Sequence, residues 1–82
     1  MDKRIAVVGI ILDDINMAQE VNKILHIHSS IIVGRMGLPY RERGISVISL
    51  IVDGSMDDLS ALTGQLGKIP GVSVKSAVSK KT

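Results

Sequence analysis

The chain has 82 residues and a mass of 8.8 kDa, which is room for one small domain over 1–82 and not for two cores. Its 45% hydrophobic and 22% charged residues belong to a globular chain, and the absence of Cys excludes a disulfide framework, a thiolate metal cluster and a cysteine nucleophile. Ten basic groups nearly balanced by eight acidic ones leave a net charge of +2, too slight to mark a polyanionic partner.

No apolar run approaches membrane-spanning length, and Met1 to Arg4 lead into a strand without a signal-peptide pattern, so a cytoplasmic location with no membrane partner is expected. The core must be aliphatic: there is no Phe, no Trp and one Tyr, while Ile and Val make up 21 of the 82 residues. Such a small domain buries limited area per residue without large aromatics, which favours a homo-oligomer.

Arg4 to Leu12 is apolar at alternating positions on both sides, the pattern of a central strand covered on two faces. Asp13-Asp14 then offers an N-cap, and Ile15, Ala18, Val21 and Leu25 follow at helical spacing to about His26, with Gln19, Glu20, Asn22 and Lys23 turned outward. Ser29-Ser30 breaks this helix, Ile31 to Met36 reads as a second strand, and Gly37 to Gly44, with its Gly and Pro, reads as a long hairpin loop. Ile45 to Val52 is again doubly apolar and central. Ser55 and Asp58 have capping-box spacing before a helix whose stripe is Leu59, Leu62, Leu66 and Ile69. Gly64 inside that helix costs about 1 kcal/mol relative to Ala, which suggests close packing against a neighbour. Lys68 to Gly71 forms an exit and turn. Val72, Val74 and Val78 alternate in a half-buried last strand, and Lys80 to Thr82 is a solvated tail.

The order strand, helix, strand, strand, helix, strand defines an α+β, ferredoxin-like βαββαβ sandwich: a four-stranded antiparallel sheet with two helices on one face. The first and third strands fall in the middle. Their doubly apolar pattern leaves the other sheet face bare, a patch larger than monomers usually tolerate, and self-association through that face as a dimer or tetramer would cover it.

Few residues suggest catalysis. Ser29, Ser30, Ser55 and Ser60 with His26 or His28 are the available nucleophile and base types, but no elbow motif frames them, and caps and turns account for the serines. Asp13-Asp14 and Asp57-Asp58 sit at helix starts, where capping explains them. The central strands carry no aromatic residues for base stacking, so direct nucleic-acid binding is not expected. No nucleotide-binding glycine loop is present and no cofactor is implied. His26 and His28 would point to one side of an extended segment and could share a metal ion across subunits; the competing reading is a polar helix end. The most unusual stretch runs from Arg35 to Glu42 and holds the single aromatic residue, a Pro, a Gly and two Arg that can grip an anion bidentately.

Arg35-x-Gly37-x-Pro39-x-Arg41-Glu42, followed by an Ile-rich strand and by Leu62-Thr63-Gly64-Gln65-Leu66-Gly67-Lys68-Ile69-Pro70-Gly71-Val72-x-Val74-Lys75, resembles the small regulators assigned to the iron-only hydrogenase system. The likeness covers nearly the whole chain. It implies a free-standing ACT-like domain and, more distantly, similarity to the C-terminal domain of nickel-responsive repressors, which share the βαββαβ order and bind nickel between subunits. Those repressors use a His-x-His pair on the second strand and a Cys at the start of the third, whereas Arg35, Met36, Gly37 and Ser46 stand in those regions here. Their nickel centre is therefore not expected in this chain.

The expected function is regulatory and non-enzymatic: an oligomer binding a small effector at subunit interfaces through Arg35, Gly37, Pro39, Tyr40 and Arg41. The alternatives are a nickel- or zinc-responsive protein using His26 and His28 from adjacent subunits, and a structural adaptor whose protein partner belongs to hydrogenase maturation. If it controls transcription, a partner is expected to contact the DNA.

Overall fold

The alternation that begins at Arg4 becomes strand β1 (Arg4–Leu12), with Ala6, Val8, Ile10 and Leu12 buried on one side and Ile5, Val7 and Ile11 exposed on the other. The computed structural model describes residues 2–80; Met1, Lys81 and Thr82, the last two expected in the tail, lie outside the described residues. Asp14 caps the next element as expected, its carboxylate accepting the N–H of Asn16 at 3.0 Å. The helix starts as a 3-10 turn (Ile15–Met17) before α1 (Ala18–Ile27). The tighter turn places Ile15 at the surface, 46% exposed, while Val21 and Leu25 enter the core.

A second 3-10 turn (Ser29–Ile31) leads to β2 (Ile32–Tyr40). This strand is longer than the residues suggested, and the expected loop from Gly37 to Gly44 is corrected to a paired strand end plus a short turn. Gly37, Leu38, Pro39 and Tyr40 stand opposite Ile48, Val47, Ser46 and Ile45. The sheet order β2-β3-β1-β4 makes β2 an edge strand, and an edge tolerates Pro because one row of backbone groups has no ladder to complete. The reversal needs only Arg41–Arg43, as one 3-10 turn, and Gly44 at φ +67°, a conformation that suits Gly.

Strand β3 (Ile45–Gly54) pairs antiparallel with both β2 and β1, and β4 (Val72–Val78) with β1. Helix α2 (Met56–Gly67) opens with the full capping box: Ser55 Oγ accepts the Asp58 N–H at 3.1 Å, and Asp58 Oδ2 accepts the Ser55 N–H at 3.3 Å. Val21 and Leu25 of α1 and Leu59, Leu62 and Leu66 of α2 close over the inner sheet residues, including Ile48, Leu50 and Val52. Among the described residues no polar or charged residue is buried, so packing of aliphatic side chains holds the two layers together.

Gly64 does not mark a close approach. It is exposed, and a Cβ built there meets nothing within 4 Å, because it stands two residues from both Leu62 and Leu66 and so roughly opposite their stripe. Gly64→Ala is therefore expected to stabilise the protein by up to about 1 kcal/mol, measured as a higher urea midpoint at unchanged m; a lower midpoint would mean that something packs on this face.

The outer sheet face is the larger surprise of an otherwise ordinary sandwich only in degree, since it was expected to be apolar. Rows across it read Leu38, Val47, Ile11, Ser73 and Gly34, Ile51, Val7, Ala77, separated by Met36, Ser49, Gly9, Lys75. Met36 and Leu38 are 72% and 60% exposed.

Candidate functional site

The five residues expected to bind an effector do not form one loop. Arg35, Gly37 and Pro39 alternate along the helix-facing side of β2, in register with Leu50, Ile48 and Ser46, whereas Tyr40 pairs with Ile45 on the bare face and Arg41 lies in the turn. From Arg35 to Arg41 the chain advances about 20 Å at strand rise. The structure thus spreads these groups along one edge of the sheet and gives Arg35 surroundings of its own.

Those surroundings are a groove of about 480 Å³ between α1 and the start of β2, lined by residues that include Asn22, His26, Ser29, Ile32 and Arg35, with buried Leu25 below. A register shift between Ile32 and Gly34 bulges β2 at Val33 and leaves Val33 69% exposed, which turns the following residue pairs and sets Arg35 toward the helix. The Arg35 guanidinium donates from Nη2 to Asn22 Oδ1 at 3.0 Å. That bond uses one of five guanidinium donors and orients the Asn22 amide so that its nitrogen remains a donor.

In the sequence Asn22 reads as an outward helix residue and Ser29 as a turn residue, not as binding groups. The signal was present in their spacing with His26: positions 22, 26 and 29 follow a helical i, i+4, i+7 row. The outer face of an amphipathic helix reads as solvated, which hides such a row.

His26 and His28 diverge within one copy. His26 faces the α1–β2 groove, while His28 Nε2 lies 3.0 Å from Gln65 Oε1 on α2. Among the described residues no group of three or more His, Cys, Asp or Glu is placed to hold a metal. Ser55 and Asp58 are engaged in capping α2, as the spacing implied. No helix among the described residues is long and apolar enough to cross a membrane.

Residues 4–76 match the family model described as "TM1266-like: Iron-only hydrogenase system regulator, putative". Among solved structures, the chain is similar to the protein TM1266 from Thermotoga maritima, with 36% identity, a TM-score of 0.91, and coverage of 96% of this chain and 100% of that one. It is also similar in fold to an unknown protein from Galdieria sulphuraria (15% identity, TM-score 0.64, covering 99% of this chain and 48% of that one). A third likeness is to CPII, a nitrogen regulatory PII-like protein from Thiomonas intermedia K12 solved with ADP, AMP and bicarbonate (12% identity, TM-score 0.54, covering 96% and 99%). No curated protein matches.

Proposed function

The chain belongs to the TM1266-like family of iron-only hydrogenase system regulators, and from that premise we propose that it is a non-enzymatic regulatory module, an oligomer of ACT-like domains that binds a small effector. The observation that carries this reading is the bare sheet face, on which Val7, Ile11, Leu38 and Ile51 are between 41% and 60% exposed and lie in two rows on either side of a central row of Met36, Ser49, Gly9 and Lys75. Exposed aliphatic rows of this kind are stable in water when a second copy covers them, giving a dimer or, through a further surface, a tetramer. Gly9 and Ser49 lower the centre of the face between two apolar rows, a shape into which a partner's row of aliphatic side chains can settle.

The effector residues remain those of the β2 edge: Arg35, Gly37, Pro39, Tyr40 and Arg41. Gly37 and Pro39 leave the strand surface low between Arg35 and Arg41, and either guanidinium can grip an anionic ligand at this edge. Within one copy His28 meets Gln65 and His26 faces the α1–β2 groove, so the metal-responsive alternative requires His26 and His28 to come from adjacent subunits.

Native mass spectrometry of the protein as purified tests the assembly and any retained ligand together. An oligomer with added mass supports the effector-binding reading, a bare oligomer favours an adaptor for other proteins, and a monomer sinks the argument from the sheet face. Replacing Arg35 and Arg41 with Ala is expected to abolish thermal stabilisation by the ligand so found; a shift in melting temperature equal to that of the unaltered protein would remove this edge from the assignment.

A further inference from the structure

We propose that the groove between α1 and β2 is the effector site, and that its ligand is a small organic carboxylate with a short apolar body. This rests on the effector-binding reading and narrows it to one place and one ligand class. The groove's volume of about 480 Å³ falls within the range of pockets that hold small ligands. Its polar lining can donate: the Arg35 fork, the Asn22 amide nitrogen left free by the bond to Arg35, and the Ser29 hydroxyl, with the His26 imidazole one helical turn from Asn22. No acidic residue lines it.

The single guanidinium sets the charge. One fork matches the two oxygens of one carboxylate, whereas a polyphosphate calls for several cations or a nest of backbone N–H groups. The floor sets the rest of the ligand, because Ile32 and the exposed Val33, above buried Leu25, offer apolar surface to a hydrocarbon chain and nothing to a second charge. Asn22 holds the guanidinium by a bond of 3.0 Å, so less freedom is lost when an anion is gripped.

The equivalent groove in the other half of the molecule supplies an internal contrast. Between α2 and β4 lies a larger space, about 590 Å³, lined by Ser60, Thr63, Gly64 and Gly67 of the helix. Its one cationic residue, Lys75, pairs with Gly9, whose neighbours Val8 and Ile10 are buried while Gly9 itself is exposed, so the ammonium belongs to the bare sheet face. Two grooves of similar form therefore differ in the feature an anion requires, and only the α1–β2 groove has it.

The test is a titration of the ¹⁵N-labelled full chain with sodium butyrate, followed by amide shifts, with sodium chloride and sodium phosphate at matched ionic strength as separate arms. Saturable shifts centred on Asn22, His26, Ser29 and Arg35 are expected with butyrate. Arg35→Gln should weaken the apparent affinity tenfold or more, Arg35→Lys should weaken it less because the charge stays and the fork is lost, and Lys68→Ala at the end of α2 should leave it unchanged. Butyrate shifts centred on Tyr40 and Arg41 would overturn this location while sparing the wider effector reading. Saturation by phosphate with none by butyrate would overturn the ligand class, and equal, non-saturating shifts with butyrate and chloride would overturn the site. The wider reading is judged apart from all three by the mass retained on the purified protein.

Discussion

Val7→Glu combined with Ile51→Glu is expected to convert the assembly to monomers while leaving the fold intact. The two residues are direct cross-strand partners on the bare face, 47% and 48% exposed, so in a monomer both carboxylates reach water and the core beneath does not change. In a two-fold assembly the substitution brings four carboxylates together in an apolar layer. Even a few kcal/mol of desolvation and repulsion raises the dissociation constant more than a hundredfold. The gain being opposed is modest: burying what remains exposed of Ile5, Val7, Ile11, Met36, Leu38, Tyr40 and Ile51 is worth about 1 kcal/mol per side chain in each copy, of the same order as the cost of association. Native mass spectrometry should show multiples of 8.8 kDa for the unaltered chain and the monomer for the variant, with matching circular dichroism and, for the variant alone, a urea midpoint that does not change with protein concentration. An unchanged mass distribution would mean that assembly, if any, uses another surface.

The parts of the fold that were legible in the sequence are those where one local rule decides. β1 and β3 alternate without interruption, and the Ser55–Asp58 box begins α2 where its spacing says. Gly37 and Pro39 signal a turn when read locally, which ends the expected second strand at Met36, yet pairing with β3 extends it to Tyr40. Proline's penalty depends on which strand holds it, and edge or centre is a property of the whole sheet. Histidines two residues apart share a side only in an extended segment. At the end of α1 the same interval sends His26 to one groove and His28 to Gln65.

The candidate site divides in the same way. Arg35 stood out as an anion-binding residue type, but its neighbours in space come from α1, thirteen positions away in the case of Asn22. Strand alternation, once β2 is known to run on, separates Arg35 from Tyr40 by face and from Arg41 by length. Composition could indicate that an arginine-rich edge exists; only the crossover of α1 above that edge provides a groove with a floor.

Leu62→Ala is expected to cost about 3–4 kcal/mol. Leu62 is fully buried at 0% exposure, in the cluster that joins α2 to the inner sheet residues Ile10 and Leu50. Because the chain has no Phe, no Trp and one exposed Tyr, no large ring is available to shift into the space, and the surrounding β-branched side chains have few rotamers with which to fill it. A domain of this length has a total stability of roughly 4–12 kcal/mol, so the variant should lose a large part of its margin. Urea unfolding should show a much lower midpoint at nearly the same slope. Assembly through the bare face adds mass-action stability, which makes the unfolding midpoint depend on protein concentration. The comparison is therefore cleanest in the Val7→Glu, Ile51→Glu background, where the loss can be read from a monomer. A cost below about 1 kcal/mol in that background would mean that the helices close over the gap, and that the aliphatic core is looser than its burial implies.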